Sequence, residues 1–141
     1  MIEVFNNQRK IQIDSAQFKT FSNNIAYYVE ELRSKFFTVT FISDLKMRGL
    51  NKQFRGNNAT TDVLSFPFEP DEFDLEKNHL GDIVISVEQA ERQAKENKLT
   101  FESEIKQLIL HGVLHLCGYD HETDNGEMNA RELELRDKLS I

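Results

Sequence analysis

Apolar residues recur along this chain at two different periods. Phe37, Val39 and Phe41 alternate with Thr38 and Thr40, which is the spacing of a strand buried on one face, in residue types that favour strands. Similar short runs occur at "IEVF" (Ile2–Phe5), "KIQI" (Lys10–Ile13), "DVLSFPF" (Asp62–Phe68) and "GDIVIS" (Gly81–Ser86). The first two flank Asn6-Asn7-Gln8 and predict a hairpin. Pro67, which has no N–H to donate, places the third at an edge or a strand end. Elsewhere the period is helical. After a cap at Asp14 or Ser15, Phe18, Phe21, Ile25, Tyr28, Val29 and Leu32 line one face. Ser43 and Asp44 can cap a short basic helix running toward Phe54, and Ser86 with Gln89 forms a capping-box pattern. Thr100 is the expected cap of "FESEIKQLILHGVLHLC", a helix apolar on most faces and so expected at the centre of the molecule. Asp124 with Glu127 can cap a last helix carrying Met128, Leu135 and Leu139. "RGNNATT" and the acidic "EPDEFDLEKN" read as loops. Strands and helices mixed in this way predict an α+β domain built on one mixed sheet.

The most apolar helix also carries the chemistry. In "HGVLHLCGYDH" (His111–His121), three of the chain's four histidines fall within one short stretch. His111 and His115 are four apart, so on a helix their imidazoles lie roughly 40° apart and one turn along, within reach of one ion. Gly118 can end the helix and let the chain fold back, so that His121 closes a third corner. Neutral imidazole suits zinc at about 2.0–2.1 Å, and three protein ligands leave a place for water or substrate, the mark of a catalytic site. A solitary histidine on an apolar helix is ordinarily a satisfied core residue. Three in this arrangement would otherwise need three separate buried partners. One Zn(2+) per chain on His111, His115 and His121 is therefore expected. Cys117 points roughly 200° round the helix from His115 and reads as a small buried hydrophobe. Asp120 has two readings, orienting a histidine from behind or closing a turn. His79, in the acidic segment, has no helical partner and is left out of the site.

Composition and charge refine this picture. A chain of 141 residues with 39% hydrophobic content suits one domain, residues 1–141, with a core that needs no disulfide. Its single cysteine cannot form an internal one. "MIEVFNNQRK" lacks the apolar centre of a signal peptide, and no stretch approaches the roughly 20 apolar residues of a membrane span. A cytoplasmic protein is expected. The net charge of −7 argues against a nucleic-acid partner until its distribution is considered. Residues 1–60 hold nine Lys/Arg and five Asp/Glu, which leaves −11 on the remainder. Within "KMRGLNKQFR", Lys46, Arg48, Lys52 and Arg55 stand without a single acid. The run is either a solvated helix face or a local phosphate-binding patch.

The spacing of His111, His115, Gly118 and His121 equals that of the metzincin proteases, H-E-x-x-H-x-x-G-x-x-H. Gly112 stands where those enzymes keep the glutamate that activates water, so peptide hydrolysis by that route lacks its base. A metzincin-like zinc metallohydrolase is the alternative reading. "HGVLHLCGYDHE", together with "TTDVLSFPFE" and "LGDIVIS", resembles the YbeY family of bacterial endoribonucleases. The resemblance runs from "LNKQFRG" to the last helix.

That resemblance implies an α+β fold with a central histidine helix and a mixed sheet of about four strands. It implies a zinc held by residues matching His111, His115 and His121, and a functional arginine matching Arg55. It also implies cleavage of single-stranded RNA in 16S rRNA 3′-end maturation and ribosome quality control, with the small ribosomal subunit or its assembly factors as partners. Arg55 and His111 are then the expected catalytic residues: the metal acidifies a water, and metal and arginine together stabilise charge on the scissile phosphate. Lys46, Arg48 and Lys52 are expected to hold the flanking backbone. Phe54 and Phe66 are candidates for stacking on bases or for the core. The chain departs from the family's pattern in "NNAT", which lacks the usual lysine and proline. A non-catalytic, zinc-stabilised ribosome-binding module is the third reading, and three ligands in place of four argue against it.

Overall fold

The computed structural model describes residues 2–73, 78–120 and 122–141. Its elements are β1 (Glu3–Asn6), α1 (Ser15–Tyr28), a single 3-10 turn (Glu30–Leu32), β2 (Phe36–Ile42), α2 (Asp44–Arg55), β3 (Val63–Pro67), β4 (His79–Ser86), α3 (Val87–Glu96), α4 (Phe101–Leu116) and α5 (Glu127–Leu139). The four strands form one mixed sheet in the order β1-β2-β4-β3. β1, β2 and β4 run parallel, and β3 pairs antiparallel with β4 through Val63–Ile85, Ser65–Ile83 and Pro67–Gly81. The fold is α+β, and Pro67 closes an edge strand as its missing N–H requires.

The predicted hairpin does not form. β1 pairs with β2, and the chain after it is diverted by Gln8. Its Oε1 accepts from the N–H groups of Lys10 and Ile11, and its Nε2 donates to the Ile11 carbonyl at 2.7 Å. Those backbone groups are the ones a second hairpin strand would need. Ile11 and Ile13 pack against the core without strand pairing.

The alternation read in β2 sorts the sheet's two faces. Phe37, Val39 and Phe41, with Ile83 and Ile85 of β4, bury against Phe18, Phe21 and Ile25 of α1 and Ile105, Ile109 and Val113 of α4. Burial of each such side chain is worth about 1.5–3 kcal/mol, so this layer dominates the core. On the other face α2 covers a smaller cluster of Ile42, Met47, Leu64 and Val84. At Gly81 the backbone of β3 lies close against β4. The glycine's φ is +149°, and a Cβ there would lie 2.2 Å from the Phe66 carbonyl oxygen, so only glycine fits. Among the described residues no helix is long and apolar enough to cross a membrane.

Candidate metal centre and its surroundings

Helix α4 starts at Thr100, whose side chain accepts from the Ser103 N–H at 3.1 Å. It ends in the expected way. Gly118 has φ +99°, its N–H bonds the His115 carbonyl, and the Tyr119 N–H bonds the Leu114 carbonyl, both at 3.0 Å. This is the paired closure that a left-handed glycine permits. Between these ends the helix is buried on Ile105, Leu108, Ile109, Gly112 and Val113. Gly112 meets the sheet directly: a Cβ there would lie 2.8 Å from Cγ2 of Ile83. At the position that carries the metzincin glutamate, any side chain would thus press on Ile83 and force it to shift.

His111 and His115 project from the half-buried side of α4. Their Nε2 atoms are 3.1 Å apart, and the rings meet nearly edge to face at 78°. Two imidazole nitrogens on one tetrahedral zinc at about 2.05 Å would be about 3.3 Å apart. The pair therefore fits a shared ion with little adjustment. His121 lies outside the described residues.

Behind His111 stands a residue that reading the sequence missed. Glu132 of α5 is only 6% exposed, and its Oε1 lies 2.7 Å from His111 Nδ1. Its Oε2 accepts from Arg136 Nη2 at 3.2 Å. A signal was available, since Glu132 sits four residues after Met128 and three before Leu135, inside the apolar stripe of its helix.

The other residues near the histidines have structural duties. The Asp120 side chain accepts from the Glu122 N–H at 2.9 Å, and its carbonyl receives the Asp124 N–H at 3.1 Å, so it closes a turn. Asp124 accepts from Gly126 and Met128, which caps the start of α5. Burial, aided by the charge of Glu31, pushes the Cys117 thiol up to about 11, so it stays protonated and unsuited to hold a metal. Tyr119 donates to Glu31 at 2.7 Å, and Glu31 also receives Arg131 at 2.9 Å. The Arg131 hydrogen bond outweighs partial burial and holds the Glu31 carboxyl down at about 2. This cluster ties the turn after α4 to α5. His79 opens β4, stacked on Phe36 with 4.9 Å between ring centres, and takes no part in the site.

Of the four cations of α2, Arg48, Lys52 and Arg55 recur at i, i+4 and i+7 and so share one face of the helix, whereas Lys46 lies on another. Lys46 shares a groove on the open sheet face with Phe54, Phe66 and Thr40. Arg48 bonds Asn58 Oδ1 at 3.0 Å. Lys52 and Arg55 are exposed in the last turn, where they oppose the negative end of the helix dipole. Arg55 lines a hollow of about 440 Å³ with Asn51, Asn57, Thr61, Val63 and Leu64, and among the described residues no carboxylate lines it. A second hollow of about 330 Å³ is lined by His111, Arg136, Asp62, Glu96 and Glu104. Val63 lines both, so the arginine and histidine sites meet across one edge-strand residue. The loop between them is bracketed by α2. Buried Asn51 donates to the Ala59 carbonyl at 2.9 Å, and Thr60 donates to Asp44 at 2.9 Å. Phe54 is 58% exposed and meets Phe66 edge to face at 5.1 Å, whereas Phe66 packs on the smaller core cluster.

Residues 3–140 match the family profile described as Endoribonuclease YbeY. The chain belongs to the YbeY family. Among curated relatives, Endoribonuclease YbeY of Nautilia profundicola is 46% identical over 78% of this chain and 76% of its own length. The one from Clostridium perfringens is 35% identical over all of this chain and 98% of its own. The solution structure of TM1509 from Thermotoga maritima superimposes with a TM-score of 0.65 at 28% identity, covering 99% of this chain and 89% of that one. The YbeY assignment covers every element that builds the histidine and arginine hollows.

Proposed function

We propose that residues 1–141 act as a single-domain, zinc-dependent endoribonuclease of the cytoplasm, cutting single-stranded ribosomal RNA in 16S rRNA 3′-end maturation and ribosome quality control. The small ribosomal subunit or its assembly factors would present the substrate. One observation carries the reading: two imidazole nitrogens 3.1 Å apart, with the His111 hollow meeting at Val63 a hollow that, among the described residues, is lined by Arg55 and no carboxylate. His111, His115 and His121 would hold one zinc. The chemistry supplied by that ion when bound is Lewis acidity, which polarises a phosphoryl oxygen and lowers the pKa of water.

The chain's own residues do the rest. Arg55 has no hydrogen-bond partner among the described residues, so its planar fork is available to grip two phosphate oxygens and to oppose charge as it develops on them. Arg48 and Lys52 share the face of α2 that carries Arg55 and, with Lys46 on another face, would hold the RNA backbone on either side, Arg48 also keeping its loop in place. The exposed ring of Phe54 offers a stacking surface to an unpaired base. Packing of Gly112 on Ile83 disfavours the protease alternative, because glycine offers no base and any side chain at that position would press on Ile83.

The test joins metal analysis of purified protein to cleavage of rRNA fragments. Arg55→Ala should keep its zinc and lose most cleavage, whereas His115→Ala should lose both. RNA bound without cleavage by fully loaded protein would favour the zinc-stabilised binding module. Cleavage by a metal-free His115→Ala preparation would overturn the mechanism.

A further inference from the structure

The buried carboxylate of Glu132 has no place in the chemistry just described, and its cost needs a reason. It sits between Met128 and Leu135 on the core-facing stripe of α5, where a leucine would satisfy the packing. Burying an ionisable group there is unfavourable unless its oxygens are fully occupied. They are occupied from both sides, with His111 Nδ1 at 2.7 Å on Oε1 and Arg136 Nη2 at 3.2 Å on Oε2. Arg136 is itself drawn inward at some cost, since its Nε is buried without an acceptor among the described residues. Packing alone does not explain a histidine, a glutamate and an arginine arranged in series from α4 to α5.

We infer that Glu132 is a positioning residue for the metal centre, holding His111 as the Nδ1–H tautomer with its Nε2 lone pair turned toward His115, and that Arg136 fixes the carboxylate for this task. The inference rests on His111 being a metal ligand. A guanidinium can only donate, so Oε2 must accept from Arg136. Oε1 then faces Nδ1 as an acceptor, and the proton of a neutral His111 ring is drawn to Nδ1. Nε2, 3.1 Å from its counterpart on His115, then carries the lone pair that an ion would take. The negative carboxylate behind the ring also raises the donor strength of the imidazole, as carboxylate partners of metal-bound histidines generally do. The sequence places this support on α5, twenty-one residues downstream of the ligand that it serves.

Three variants separate the hydrogen bond from the charge. Glu132→Gln keeps an acceptor and loses the charge, Glu132→Leu loses both, and Arg136→Met frees the carboxylate. Zinc affinity, measured by competition with a chromophoric chelator, should fall roughly tenfold in Glu132→Gln and up to about a hundredfold in Glu132→Leu. Arg136→Met should lie between wild type and Glu132→Gln. Two-dimensional ¹⁵N–¹H spectra of the metal-free protein should show one His111 tautomer in wild type and Glu132→Gln, and a mixture in Glu132→Leu. Melting curves identify any variant that fails to fold, and the spectra then rest on Glu132→Gln and Arg136→Met. Zinc affinity within twofold of wild type in folded Glu132→Leu would overturn the inference, as would an Nε2–H His111 in the metal-free wild type. Neither readout involves RNA, so a failure of the nuclease reading leaves this result standing, and the converse also holds.

Discussion

Replacing Gly112 by alanine tests the packing that disfavours a base on the histidine helix. In an ordinary helix interior this change stabilises by about 0.8–1.0 kcal/mol. Here the new Cβ would stand 2.8 Å from Ile83 Cγ2 and 3.1 Å from its Cδ1 and Cγ1. Ile83 is wholly buried and branched at Cβ, so it cannot swing aside. Overpacking of this kind typically costs about 1–3 kcal/mol. The two effects leave Gly112→Ala about 1 kcal/mol less stable than wild type. The sign should reverse once the obstacle is gone. Ile83→Ala alone costs about 2–5 kcal/mol, but in that background Gly112→Ala should recover about 1 kcal/mol of helix propensity. Urea unfolding of the four proteins, followed by circular dichroism with chelator present, gives the coupling energy directly, expected at about 2 kcal/mol. If Gly112→Ala stabilises both backgrounds equally, the helix does not rest on Ile83 and a side chain at this position meets no penalty.

Other substitutions probe the scaffold around the site. Gly81→Ala should cost more than about 4 kcal/mol, because its Cβ would strike a backbone carbonyl; soluble yield and circular dichroism would reveal it. Gly49→Ala, with nothing within 4 Å of the new Cβ, should instead stabilise α2 by about 1 kcal/mol in the same assay. Glu31, held at about 2 against an ordinary value of 4.5, adds stability that is present above pH 4.5 and is lost as pH falls toward 2. The gap in melting temperature between wild type and Glu31→Gln should therefore be widest near neutral pH and close on acidification; a gap that widens below pH 4 would contradict the assignment. Asn51→Ala leaves the Ala59 carbonyl without its donor and should cost about 1–3 kcal/mol. Hydrogen exchange should speed up at residues 57–61 while α4 stays protected.

Period and capping made most of the fold legible. The alternation of Phe37, Val39 and Phe41, the caps at Ser43, Ser86 and Thr100, and the terminating Gly118 all stand in the structure where the residue types require them. The hairpin failed because two apolar runs flanking a turn do not specify their partners. Gln8 took the backbone groups of the second run, and β2 supplied the pairing for the first. The spacing of His111 and His115 was legible because both ride one helix. The inward position of Glu132 could be read from the stripe of α5, but its partner could not, since that depends on which helix α5 packs against, and that contact is tertiary. Of the four cations of α2, charge counting did not separate Lys46 from Arg48, Lys52 and Arg55, which the helical period puts on one face.

The brackets that Asn51, Arg48 and Asp44 place on the loop after α2 have a kinetic consequence. Ordering a backbone residue costs about 1–2 kcal/mol, and for residues 58–60 that loss is met during folding through these side chains. A polyanion reaching the Arg55 hollow therefore meets walls already standing, and no segment has to close before contact is made. Association should follow simple second-order kinetics, with a rate set by diffusion and ionic strength and no slow isomerisation behind it.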